Sequence, residues 1–249
     1  GRSVLSGDKK LSLIIPAYNE ERRIKRVLED YCQFFTRYGD DVEIIVVMDG
    51  CNDYTPEIVE DYSQRYRTVR LQRFPYRLGK GGGLTRCLKL VRGNLIGFVD
   101  ADGAVEAKEL LRLASYIELD GLDGVIGSRW IKGAKIVRAQ SLRRKILSRG
   151  FNTLVRICFR LGFKDTQCGA KVFKQEVIDA CLPNLNSKDF IFDVDLLYNA
   201  TKKNFKIKEV PIKWENIEGS KVTFNEILKM FFNVCKLRVN HLGALNVAY

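Results

Sequence analysis

The stretch Ile44-Ile45-Val46-Val47-Met48-Asp49-Gly50 runs apolar without a break until it ends on an acid and a glycine. A strand that is apolar at nearly every position expects cover on both faces, as in a parallel sheet with helices on either side. Working outward, short apolar or β-rich runs predict strands at 11–16, 42–48, 68–73, 95–99 and 124–127. Longer amphipathic stretches between them predict helices at about 20–37, 55–67, 81–92 and 107–119. This alternation implies an α/β fold with a Rossmann-like, doubly wound, mostly parallel sheet.

Beyond residue 128 the texture changes. A long basic amphipathic helix is expected over 139–161, a short strand at 170–173, a helix near 194–203, a strand near 207–213 and a last amphipathic helix. With 249 residues, 46% of them hydrophobic, one large domain over residues 1–249 is the expectation, and disorder or a coiled coil is excluded. The seven cysteines form no CxxC pair and sit in apolar runs, so reduced, intracellular thiols are expected. With one histidine, His241, a zinc site lacks ligands. No charge-free apolar stretch of about 18 residues is present, so neither a membrane span nor a secretion signal is expected in this chain.

Ligands of open α/β sheets bind beyond the carboxyl ends of the strands. Three polar segments come directly after strands here: Ala17-Tyr18-Asn19-Glu20, Asp49-Gly50-Cys51-Asn52-Asp53 and Asp100-Ala101-Asp102-Gly103. Two carboxylates one residue apart at a strand end can bind a hard divalent ion that grips a diphosphate, although an ordinary acidic turn would read the same in isolation. Tyr18 offers an aromatic face, and Glu20 and Asp49 offer carboxylates, to a nucleoside. The run Arg77-Leu78-Gly79-Lys80-Gly81-Gly82-Gly83 suits an approaching phosphate, or is simply a glycine-rich turn entering a helix; it is neither a Walker A loop nor GxGxxG.

These segments, in this order and at this spacing, resemble the PAYNE, DDGS-x-D and DxD segments of the family 2 glycosyltransferases. The resemblance implies a GT-A fold, with Pro16, Ala17, Tyr18, Glu20 and Asp49 at the nucleotide and Lys80 near it. It also implies Asp100, Ala101 and Asp102 at the diphosphate, with Asp100 and Asp102 holding Mg²⁺ or Mn²⁺. This chain departs from the pattern at Met48-Asp49, where the family usually has paired aspartates, and at Cys51, where serine is common. Further on, Gly127-Ser128-Arg129-Trp130, Asp165-Thr166-Gln167-Cys168-Gly169, Phe192-Asp193-Val194-Asp195, Glu209-Val210-Pro211-Ile212 and Gly219-Ser220-Lys221 look like the polyprenyl-phosphate branch, which includes the dolichyl-phosphate glucose and mannose synthases. Likeness to that branch implies inverting transfer of a hexose from UDP-glucose, favoured over GDP-mannose, to dolichyl or polyprenyl phosphate. The expected place is the cytoplasmic face of the endoplasmic reticulum or plasma membrane, with the chain peripheral.

The charge distribution points independently to an anionic partner. Of the net +12, nearly all lies between Arg129 and Lys164, which hold eleven Lys/Arg and no Asp or Glu. Over 142–159, Leu142, Ile146, Leu147, Phe151, Leu154, Val155, Cys158 and Phe159 recur at helical spacing among arginines, and Phe224, Ile227, Leu228, Phe231, Phe232 and Cys235 form a second stripe. Such helices can lie on anionic lipid, each cation contributing about 1 kcal/mol near the surface; core packing with a solvated basic face is the plainer alternative. The interleaved apolar stripe argues against nucleic acid.

For the acceptor phosphate, Arg129, Arg143 and Lys221 are the candidate ligands, since guanidinium groups grip phosphate in a fork. A phosphate monoester is ionised near neutral pH and needs no strong base. Asp165 either positions sugar or acceptor or fixes a loop, so Asp102, Arg129 and Asp165 form the expected catalytic set. Asp193 and Asp195 read as helix-capping residues, and His241 as a packed or interfacial side chain. Two rival functions remain open: a family 2 transferase using a soluble glycan, and a non-enzymatic basic module.

Overall fold

The structure is a computed structural model that describes residues 10–138, 142–187, 191–217 and 224–246. Strands β1 (Leu11–Ala17), β2 (Val42–Asp49), β3 (Val69–Phe74), β4 (Leu95–Phe98), β5 (Gly124–Ser128), β7 (Lys171–Lys174) and β8 (Ile207–Pro211) form one sheet in the order β3-β2-β1-β4-β7-β5-β8. All pairings are parallel except those of β7, which runs antiparallel between β4 and β5. A second, two-stranded parallel sheet pairs β6 (Lys135–Arg138) with β9 (Lys213–Glu215).

Alternation along each strand divides the core. Leu11, Leu13 and Ile15 of β1, with Ile44, Val46 and Met48 of β2, pack under α1 (Ile24–Phe35), α2 (Thr55–Arg65) and α4 (Ala107–Leu119). Ile14, Ile45 and Val47 face the opposite layer, built from α3 (Lys80–Cys87), α5 (Leu142–Phe159), α6 (Gln175–Cys181), α7 (Phe192–Lys202) and α8 (Phe224–Asn246). The unbroken apolar run of β2 is thus covered from both sides.

Several boundaries differ from the sequence expectation. The predicted 81–92 helix stops at Cys87, and the chain beyond it is tied to β1 and β2: Arg92 N–H donates to Glu43 (2.9 Å) and Gly93 N–H to the Ser12 hydroxyl (2.8 Å). The predicted 207–213 strand splits at Pro211, which has no N–H to continue a ladder, and Lys213–Glu215 joins the other sheet. The antiparallel insertion of β7 and the short elements α6, β6 and β9 have no counterpart in the sequence expectation.

The two amphipathic stripes differ in how far they are covered. Phe151, Val155 and Phe159 of α5 and Val234 and Leu237 of α8 are buried, and Phe151 and Phe231 meet edge to face at 5.7 Å between centroids. Full burial stabilises each such side chain by about 2 kcal/mol, so most of the 142–159 stripe belongs to the core; in the second stripe Phe231 is half-buried, Phe232 and Cys235 are exposed, and the side chains of Phe224, Ile227 and Leu228 lie outside the described residues. Among the described residues, the large apolar side chains exposed on these two helices are Ile146, Ile157, Phe232 and Val239. No helix among the described residues is long and apolar enough to cross a membrane.

Candidate active site

β1 is flanked by β2 on one side and β4 on the other, so the strand order reverses there and the carboxyl ends of three neighbouring strands open into one crevice. The loops leaving β1 and β2 are clasped together. Asn19, in the left-handed region at φ 53°, exchanges bonds with Asn52: its amide donates to Asn52 Oδ1 (2.6 Å) and its Oδ1 accepts from Asn52 N–H (2.9 Å). Glu20 N–H donates to Thr55 Oγ1 (2.7 Å) and Glu21 N–H to Asp53 (3.1 Å). These bonds satisfy loop amides where no ladder continues.

Within this frame Pro16 is half-buried, while Ala17 and Ala101 are buried, so the two alanines can meet a ligand through their backbones alone. Glu20 is held by Arg23, whose Nε and Nη2 reach its two oxygens at 2.7 and 2.8 Å. The Arg77 guanidinium lies 4.0 Å from the centre of the Tyr18 ring. Asp49 is buried and accepts the Leu78 N–H at 2.6 Å, which ties the basic glycine loop to the end of β2. Gly50 makes that approach possible: its φ is +66°, and a Cβ there would lie 2.6 Å from the Arg77 nitrogen.

At the end of β4, the Asp100 side chain is 39% exposed and Asp102 accepts the Ala104 N–H at 2.9 Å. Burial, with the neighbouring Asp100 charge added, raises the Asp102 carboxyl above its ordinary value. Lys80, at the start of α3, donates to Asp100 Oδ1 (3.1 Å) and to Asp193 Oδ2 (3.2 Å). Burial alone would lower the Lys80 pKa; Asp100 and Asp193 outweigh it and keep the ammonium charged. A Cβ at Gly169 would overlap the Asp100 carboxylate, so this glycine forms the floor on which Asp100 rests.

The donor set fits a hard divalent ion. Two carboxylates that repel each other gain from a shared cation, and oxygen donors suit Mg²⁺ or Mn²⁺. Among the described residues no group of three or more His, Cys, Asp or Glu could enclose an ion. An ion here would therefore complete its shell from water and substrate oxygens, the usual habit of Mg²⁺.

Behind β5 the pattern is one of buried ion pairs. Arg129 forks onto Asp165, with Nε to Oδ2 and Nη2 to Oδ1 both at 2.8 Å and the backbone N–H adding a third bond. Asp165 is 0% exposed, so it acts on Arg129 instead of facing the crevice. Its turn is clamped by Glu209, which accepts the amides of Lys164 and Asp165. The guanidinium lies 5.4 Å from the ring centres of both Trp130 and Trp214, and burial against its charge is outweighed by Asp165, which holds its pKa up. Thr166 is bonded to Asn152 of α5, and the Cys168 carbonyl accepts from Lys171. The five-residue motif at 165–169 thus orients Arg129, anchors α5 and seats Asp100.

Asp193 does not cap α7. Ile191 holds the N-cap position, and Asp193 is buried between Lys80 and Lys171, the latter at 2.9 Å. Those cations overcome the burial penalty and lower its carboxyl pKa. Asp195 accepts the amides of Asn186 and Ser187 and lies 2.8 Å from His241 Nε2, whose ring packs edge-on to Tyr198. Lys221 lies outside the described residues, as does the side chain of Arg143. All seven cysteines are free thiols. Sequence reasoning missed Lys171 and Asn152 and gave Glu209 only as part of a motif; a lysine inside the apolar Ala170–Phe173 run was the available signal for the first.

Comparison with known proteins matches residues 12–182 to "Glycosyl transferase family 2". Dolichyl-phosphate beta-glucosyltransferase of Dictyostelium discoideum is 35% identical over 244 residues, spanning 93% of this chain and 75% of that protein. The Saccharomyces cerevisiae protein of the same description is 34% identical (93% and 75%), and the Homo sapiens one 31% (95% and 77%). In fold, the chain matches glucosyl-3-phosphoglycerate synthase of Mycobacterium tuberculosis in complex with UDP at a TM-score of 0.74, with 17% identity over 97% of this chain and 83% of that one. The same enzyme in complex with Mn²⁺, UDP-glucose and phosphoglyceric acid matches at 0.72, with 17% identity over 97% and 82%. The crevice at the ends of β1, β2 and β4 is therefore carried by a GT-A scaffold, and this chain belongs to glycosyl transferase family 2.

Proposed function

We propose that this chain transfers glucose from UDP-glucose to dolichyl phosphate, with inversion, on the cytoplasmic face of the endoplasmic reticulum membrane. The observation that carries the reading is the Asp100/Asp102 pair beside the Lys80 ammonium at the end of β4; the glucosyl-transferring relatives support the sugar and the lipid, and lend nothing to GDP-mannose. Residues 1–128 serve the nucleotide and metal, with Tyr18 and Asp49 at the nucleoside and Lys80 at the diphosphate. Residues 129–249 serve the acceptor and the membrane.

In the transfer, an oxygen of dolichyl phosphate attacks the anomeric carbon as the bond from that carbon to the UDP oxygen breaks, and the bonding pair leaves with UDP. Held by Asp100 and Asp102, Mg²⁺ or Mn²⁺ supplies Lewis-acid stabilisation of charge on the departing diphosphate. The acceptor is already an anion, so no residue need remove a proton. Arg129, oriented by Asp165, steers the acceptor phosphate, with Arg143 and Lys221 as further ligands. Exposed Ile146, Ile157, Phe232 and Val239, set among exposed Lys145, Arg149, Arg156, Arg160, Lys229 and Lys236, meet anionic lipid.

The test is transfer from labelled UDP-glucose to dolichyl phosphate in liposomes with Mn²⁺, expected to vanish with EDTA and in Asp102→Ala. Turnover that persists in EDTA, equal use of GDP-mannose, or turnover on a soluble glycan without lipid phosphate would overturn the reading.

A further inference from the structure

Lys80 links the metal carboxylates to a second, deeper charge cluster. Its ammonium touches Asp100 on one side and Asp193 on the other, at 3.1 and 3.2 Å. Asp193 is held from beneath by Lys171, which is 1% exposed and also donates to the Cys168 carbonyl. The acid between the two lysines cannot swing away without stranding a buried cation. Lys80 is therefore anchored at Asp193 while resting on the carboxylate assigned above to the metal.

We infer that Lys80 is a tethered counter-ion that weakens divalent-ion binding until the nucleoside diphosphate arrives, so that ion and nucleotide bind as a coupled pair. The inference rests on the metal-and-diphosphate reading proposed above. A dication on Asp100 has to share that oxygen group with a fixed ammonium, and like charges in a half-buried cleft repel strongly. The diphosphate brings the negative charge that satisfies both, and Asp193 keeps the lysine in place when Asp100 turns to the ion. Such coupling is reciprocal, so Mn²⁺ must tighten UDP by the same factor by which UDP tightens Mn²⁺.

The experiment is Mn²⁺ titration followed by the EPR signal of the free ion, with and without UDP, on the parent, Lys80→Met, Lys80→Gln and Lys80→Arg. Both neutral variants are expected to bind Mn²⁺ alone about tenfold more tightly than the parent, and to lose about tenfold of the enhancement by UDP. Lys80→Arg, which keeps the charge, should behave as the parent. Neutral variants that bind Mn²⁺ alone no more tightly, with the UDP enhancement intact, would overturn the coupling and leave the metal site standing. A parent that binds no Mn²⁺ even with UDP would remove the site and the coupling together.

Discussion

The loops beyond β1, β2 and β4 and the segments behind β5 both hold acids in place, but they do so with different partners. In the first region Asp49, Asp53 and Asp102 accept backbone N–H groups, from Leu78, Glu21 and Ala104. A carboxylate held by an amide keeps lone pairs for a ligand. In the second region Asp165 and Asp193 are answered by the charged ends of Arg129, Lys80 and Lys171. An acid enclosed in that way aims a cation and meets no substrate itself. In the reading proposed above, the amide-held acids would serve the donor, and the ion-paired acids would point the cations that serve diphosphate and acceptor.

The sharpest way to break this contrast is Gly169→Ala, which makes the second region intrude on the first. The added methyl should displace Asp100 and lower metal-dependent transfer by about a thousandfold, taking the metal's share as several kcal/mol. The check is transfer activity together with Mn²⁺ binding in the presence of UDP; full activity would mean that Asp100 does not need its seat.

Asp165→Asn should come next in size. Removing the charge leaves Arg129 uncompensated, and the free energy of unfolding should fall by about 3 kcal/mol. UDP binding is expected to survive in the folded fraction, measured by denaturant titration and calorimetry. Equal loss of UDP affinity would merge the two regions into one unit. The smallest effect is expected from Phe232→Glu with Ile157→Glu, both exposed. Flotation with anionic liposomes at low salt should fall several-fold, with stability changed by only about 0.5 kcal/mol per site. Unchanged flotation would move the lipid contact to another face.

The first half, up to residue 128, was largely legible before the structure. Apart from β3, where Arg70, Gln72 and Arg73 interrupt the pattern, its strands are largely apolar runs, its helices are long enough to show a period, and its polar segments stand directly at strand ends, so topology alone brings Tyr18, Asp49 and Asp100 to one crevice. The second half was legible as motifs but not as roles. Asp193 looked like a helix cap because it opens a helical stretch, and only the fold sets Lys80, 113 residues away, against it. Asp165 could have faced substrate or fixed a loop, and the deciding fact is the Arg129 fork. The amphipathic stripes named apolar residues without saying which layer would cover them.

The sequence by itself determined the doubly wound α/β architecture and the acidic and basic segments at its strand ends, because both arise from periodicity and from residues adjacent in the chain. Only the tertiary structure decided that Gly169 seats Asp100, that Asp193 joins two lysines and that most of the 142–159 stripe is core. Charge pairing and burial depend on distances across the sheet, where residues far apart in sequence meet, and no local pattern encodes those distances.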